Sequence, residues 1–277
     1  MGSIAAQFLV LRKRTSTWIL MGIWVLLGMM FSYLLPYLTY RGDADGPRQA
    51  SLSALLPESL TETLLGGFPF FGGVFALMLG VLALGSDYGW DTIKTLLTQR
   101  SGRVRLLLAK VAAIAAWLVP FVLVLFIVGA GASYLIAGAE NAAVDWPSAW
   151  ELIQASAAGW FVLATWAALG VLLAVLSRGT SLAIGLGILY TFVIEGLFSA
   201  LAGEVSWLDP VVDFLLRANA YSLVVTLGVP IEGLADNGPG GFFGPFVDGG
   251  QAMLVLSAYM TGFLLLSTIV FRRRDVL

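Results

Sequence analysis

LLLAKVAAIAAWLVPFVLVLFIVGA, residues 106–130, decides the fold, because this run carries a single charge, Lys110. A helix crossing about 30 Å of hydrocarbon needs ~20 mostly apolar residues. Inside lipid the backbone polar groups of such a run must bond to one another, which selects the helix. Five further windows pass the same test: 17–38, 65–84, 158–176, 181–201 and 252–271. The chain is 59% hydrophobic and 12% charged, against roughly 25% charged residues in soluble domains. The expected fold is an all-α polytopic membrane protein, one transmembrane domain over 1–277 with six transmembrane helices.

Orientation follows from the cations, because Lys and Arg near span ends stay on the cytoplasmic side. With the N-terminus inside, the inner segments hold Arg12, Lys13, Arg14, Lys94, Arg100, Arg103, Arg105, Lys110, Arg178 and Arg272 to Arg274. Only Arg41, Arg48 and Arg217 fall outside, where most of the acids gather, Glu140 and Glu151 among them. An even number of spans then gives an N-in/C-in topology. The formal net charge of −2 hides this two-faced distribution and gives no reason to expect nucleic acid as a partner.

Before the first span, Ile4, Phe8 and Leu11 recur at helical spacing ahead of Arg12 to Arg14, the pattern of an amphipathic N-terminal helix on the inner leaflet. The apolar run that follows is too long for a signal-peptide core and ends without a small-x-small cleavage site, so it reads as a retained span. The connection 203–250 opens with WLDPVVDFLLRANAYSLVVTLGV, apolar enough for short helices lying in or dipping into the outer membrane face. Its second part, rich in glycine, reads as a loop.

The chain has no Cys and no His, which excludes thiolate chemistry, zinc clusters and a His base. It also has no G-x-x-x-x-G-K-[ST] and no G-x-S-x-G, so it is not expected to be an enzyme. Within the spans, Gly66, Gly67, Gly72, Gly73, Gly80, Gly185 and Gly187 are expected to allow close helix packing. Pro120 is expected to kink the third span, and Lys110 to snorkel to the headgroups.

Two places carry function. The first is the polar island DYGWDTIKTLLTQRSGRVRLLLAK, residues 87–110, between the second and third spans; its loop proper is 87–105. Ile93, Leu96 and Leu97 fall at i, i+3 and i+4, and Trp90 at i−3, giving a helix one small apolar face among cations. Such a helix suits either lipid headgroups or a groove on another protein. The second place is Glu195 in FVIEGLF, ~21 Å along the fifth span counted from Ser181 at ~1.5 Å per residue. A carboxylate at that depth needs a partner or water. Thr191 and Ser199 at i−4 and i+4 share its face and complete a candidate stripe for a translocation pathway or its gate.

Ser86, Asp87, Tyr88, Trp90, Thr92 to Thr98, Arg103, Leu106 to Leu108 and Lys110 together resemble the loop between the second and third spans of type-2 ABC exporter permeases, the ABC-2 type. That pattern runs from an acid through Gly-Thr, a basic residue and Leu-Leu-Ser/Thr to Ser-Arg and a small residue followed by Lys. This chain departs from it at Asp91, Arg100 and Gly102. The ending FRRRDVL is similar to the F-x-R-R-D terminus of many such permeases.

The resemblance implies a membrane permease subunit of an ATP-driven transporter, multi-pass in a bacterial-type inner (plasma) membrane. It implies pairing with a second permease, the same chain or a paralogue, and two copies of a P-loop ATP-binding subunit. ATP and Mg would sit on that partner, with no cofactor in this chain. Asp87, Trp90, Thr92, Ile93, Leu96, Leu97 and Arg103 would form the coupling contact. Two alternatives are a proton-coupled secondary transporter using Glu195 and a non-transporting membrane scaffold subunit.

Overall fold

Gly80 and Gly170 mark the closest approach in the bundle. A Cβ built on Gly80 would run into the carbonyl oxygen of Ala167, and one on Gly170 into the carbonyl oxygen of Leu77. These glycines lie on span 2 (Phe68–Tyr88) and span 4 (Ala149–Ser177), which meet backbone to backbone and form the buried centre. Lipid offers no hydrophobic reward for pairing helices, so missing side chains that let two backbones touch supply the packing instead. Gly73 takes the indole of Trp166 where its side chain would be, and Gly187 of span 5 takes Leu77 in the same way. Trp166, Val162 and Leu163 are completely buried here. By contrast, a Cβ at Gly185 would meet nothing within 4 Å, so this expected packing glycine faces open space.

The computed structural model describes residues 2–42, 52–89, 102–201, 205, 207–229 and 247–273. Around the central pair stand span 1 (Thr15–Gly42), span 3 (Val104–Glu140), span 5 (Ser181–Leu201) and span 6 (Gly249–Arg273). Their outward faces present large apolar side chains such as Leu26, Ile127, Leu182 and Leu254, as a lipid-facing surface requires. The six spans alternate in direction. Arg14, Asp87 and Lys110 gather at what we call the terminal end, and Arg41 bonds Glu140 at the distal end.

Spans 3 and 4 reach further than the windows 106–130 and 158–176. The helix of span 3 continues to Glu140 and stops where Asn141 turns left-handed, with φ 51°. Span 4 begins at Ala149 behind a capping box, in which the Ser148 hydroxyl accepts from the Glu151 N–H and the Glu151 carboxylate accepts from the Ser148 N–H. The hydropathy of lipid-spanning windows is blind to such extensions, because these end turns carry polar residues. Pro120 leaves its helix unbroken. Proline has no N–H to offer the carbonyl of Ala116, and the Trp160 indole donates to the adjacent carbonyl of Ala115 at 2.9 Å.

The N-terminal helix Gly2–Lys13 ends at Arg14, whose extended backbone (φ −76°, ψ 123°) turns the chain into span 1. It rests against span 3 through buried Leu11 and through Phe8, whose ring lies 5.5 Å from that of Trp117, while Ile4 stays exposed. Between spans 5 and 6 two short helices appear, Asp209–Val212 and Leu216–Val225. The second, here the inserted helix, is buried along nearly its whole length, from Leu216 to Ser222 and at Val224. It dips into the bundle and packs on spans 4 and 6.

Candidate functional sites at the two ends of the bundle

At the terminal end the flanks of the 87–105 loop are tied together by charge. Asp87 lies in the last turn of the span 2 helix, where a carboxylate opposes the helix dipole and needs cations nearby. Two supply this. Lys110 Nζ, in the second turn of span 3, lies 2.6 Å from Asp87 Oδ2, and Arg14 Nη2 lies 3.2 Å from Asp87 Oδ1. Both cations also donate to carbonyls of span 2, Lys110 to Ala83 at 3.0 Å and Arg14 to Leu82 at 2.7 Å. Side-chain exposure is 7% for Asp87 and 5% for Lys110, so the expectation that Lys110 snorkels to the headgroups is corrected: its partner is Asp87. The helix break at Arg14 is what aims its guanidinium inward. One carboxylate thus joins the N-terminal helix, span 2 and span 3.

Of the expected coupling residues, the structure therefore places Asp87 at the buried root of the loop. Trp90, Thr92, Ile93, Leu96 and Leu97 lie outside the described residues, as does the side chain of Arg103.

In the distal half of the bundle, Glu195 and Arg217 are buried together, at 0% and 1% exposure. The Glu195 carboxylate accepts from the backbone N–H of Arg217 at 3.1 and 3.3 Å. Arg217 is the second residue of the inserted helix, so Glu195 of span 5 satisfies an N–H that the helix itself cannot. The Arg217 guanidinium stands 3.9 Å from the same carboxylate and donates to the Thr191 carbonyl at 3.2 Å. The hydroxyl of Tyr190 donates to the Glu195 carboxylate, and the hydroxyl of Tyr259 on span 6 donates to the Phe214 carbonyl at 2.9 Å. The inserted helix is thus held at its start by span 5 on one side and span 6 on the other.

Thr191, Glu195 and Ser199 do share one buried face, as their spacing predicts. The Thr191 hydroxyl turns back to the Gly187 carbonyl at 2.9 Å and leaves Glu195 to Arg217 and Tyr190. Arg217 lies in the connection between spans 5 and 6, where charge counting puts it, and the structure buries it there. Its signal was present in LLRANAYSLVV, a lone cation in an apolar run, which pairs naturally with a lone carboxylate in a span.

A π-helical segment, Leu189–Ile194, runs directly into Glu195, and two more occur at Met30–Leu34 in span 1 and Phe68–Gly72 in span 2. Wide turns of this kind are frequent at functional sites. Rings connect all three: Phe31 stacks on Phe71 at 5.2 Å, and Phe70 meets Phe192 at 4.9 Å. At the far end of the inserted helix, Gly228 adopts φ +101° and leaves no room for a Cβ beside Glu62 Oε1. Burial, and then the Glu151 carboxylate, push the pKa of Glu62 above its ordinary value.

Among the described residues no cluster of three acids suited to a metal ion occurs. No curated protein matches the chain. The family described as "Protein of unknown function (DUF2705)" matches residues 17–277, from the first span to the C-terminus, and the chain belongs to that family.

Proposed function

We propose that this chain is the membrane-spanning permease subunit of an ATP-driven exporter, powered by a separate P-loop ATP-binding subunit docked on the 87–105 loop. The loop and the FRRRDVL ending resemble type-2 ABC permeases. The observation that carries the reading is the Arg14–Asp87–Lys110 clamp. A loop that serves only to retain cations on one side needs no buried ionic root. A loop that receives a mechanical push does, because the push must reach spans 2 and 3 together. Span 2 hands it on to span 4 through the Gly80 and Gly170 contacts. At the other end, the helix seated by Glu195 and Arg217 closes the bundle and acts as its gate. Two such permeases pair, with both termini in the cytoplasm of a bacterial-type cell.

Leu96→Asp tests the docking. It puts a charge on the apolar face that helical spacing gives Trp90, Ile93, Leu96 and Leu97, and burying that charge unpaired at an interface costs about 3–5 kcal/mol. The ATP-binding subunit is expected to be lost from the purified complex while the permease still inserts. Retained binding with unchanged ATPase activity would reduce the segment to a topogenic loop.

The orientation has its own test. The native chain has no cysteine, so Ser101→Cys, Asn141→Cys and Asn237→Cys can each be labelled in intact cells without background. A membrane-impermeant thiol reagent is expected to reach positions 141 and 237 and not 101. Labelling at 101 from outside would invert the topology.

A further inference from the structure

We propose that an apolar cavity between spans 3, 4 and 6 binds one small aromatic molecule drawn from the bilayer. The cavity has a volume of ≈ 190 Å³, and its walls include Ile114 and Leu118 of span 3, Trp160 and Ala168 of span 4, and Met260 and Leu264 of span 6. None of its lining residues is exposed, and Ile114, Leu118 and Ala168 are buried, so this is a space inside the bundle and not a patch on its surface. Span 4 leaves the room, because Ala164, Ala167 and Ala168 follow one face of that helix and end at Cβ. The Trp160 indole crosses to span 3, where it donates to the Ala115 carbonyl at 2.9 Å and braces the two helices along the wall.

The lining side chains carry no charge, and their one N–H, on Trp160, is already given to that carbonyl. A water molecule needs two to four polar partners, which these side chains do not offer. An apolar cavity of about 150 Å³ stays dry and takes up benzene. A volume of ≈ 190 Å³ therefore suits one ring with a short substituent. The walls select a ring over other apolar molecules, because the Met260 thioether and the Trp160 indole both make favourable contacts with aromatic edges and faces. Ile114 and Leu118 stand about 6–12 Å beyond Lys110 along span 3, at ~1.5 Å per residue, within the apolar run 106–130. The occupant thus arrives from lipid and not from water. No lining residue belongs to the 87–105 loop or to the Glu195–Arg217 contact, so the site stands apart from the transport reading.

Photolabelling of the full chain in lipid nanodiscs with phenyldiazirine, a single ring, tests the site, with the labelled positions mapped by mass spectrometry. In the wild type, insertion at Trp160 and Met260 is expected to saturate as the probe is raised and to be competed by toluene. Insertion at Ile127, which is 68% exposed and faces lipid, is expected to rise in proportion to the probe. Ala168→Leu fills the cavity from span 4 and is expected to abolish the saturable labelling with unchanged helical circular dichroism. Ala115→Leu fills it from span 3 and gives the same result independently should position 168 disturb folding. Labelling of Trp160 and Met260 that never saturates in the wild type, or that persists unchanged in either folded variant, overturns the proposal. The ring would then be meeting these side chains from the surrounding lipid.

Discussion

Replacing Arg217 by methionine is expected to destabilise the protein by about 3–5 kcal/mol, the usual consequence of leaving a buried charge without its partner. Methionine keeps most of the side-chain volume, so the loss is electrostatic rather than a cavity. The Glu195 carboxylate would retain the Arg217 N–H and the Tyr190 hydroxyl but lose the guanidinium, and the Thr191 carbonyl would lose its donor. Glu195→Gln strands the buried Arg217 guanidinium in the same way, although the amide oxygen still accepts from the Arg217 N–H, and is expected to cost a similar amount. The double variant should be milder than the sum of the two, since it removes both charges of one contact. Thermal unfolding in detergent, followed by tryptophan fluorescence, reads all four corners of the cycle. Strict additivity would mean that the two side chains act independently and that the inserted helix is not seated by this pair.

Gly80→Leu and Gly170→Leu are expected to be the most damaging substitutions at the centre of the bundle. At each position a Cβ alone would overlap a carbonyl oxygen of the facing helix, which is backbone and cannot rotate away. Overpacking of side chains typically costs about 1–3 kcal/mol, and a backbone obstacle exceeds that range. Spans 2 and 4 would have to separate, and the expected outcome is loss of monodisperse protein on size-exclusion chromatography. Gly185→Leu is the matched control, since a Cβ there meets nothing within 4 Å and the change should be silent. Normal behaviour of the first two variants would show that the helices are not in backbone contact.

Six spans, a helix ahead of the first and short helices between the fifth and sixth are all legible from hydropathy, because the bilayer filters sequences so severely. Glu195 was also legible, since a carboxylate in FVIEGLF must be accounted for. Its partner was not. Charge counting treats every cation between spans as solvent-exposed, and Arg217 escapes that rule by lying on a helix that folds back into the protein. Lys110 departs from expectation for a related reason. A lysine near a span end reaches water by default, and only the break at Arg14 and the extension of the span 2 helix to Asp87 supply a buried alternative. The glycines show the same limit. Composition marks Gly80 and Gly185 as equals, and only the path of the neighbouring helix tells them apart.

On the proposed function, residues near 96 are expected to touch an ATP-binding protein. Gln99→Cys gives a unique thiol for a short photo-cross-linker, applied in native membranes. The expected result is a cross-linked product whose second polypeptide is labelled by a photoreactive ATP analogue, and its disappearance when Leu96→Asp is added. A product holding only lipid or a second copy of this chain, with no nucleotide-labelled polypeptide, would contradict it.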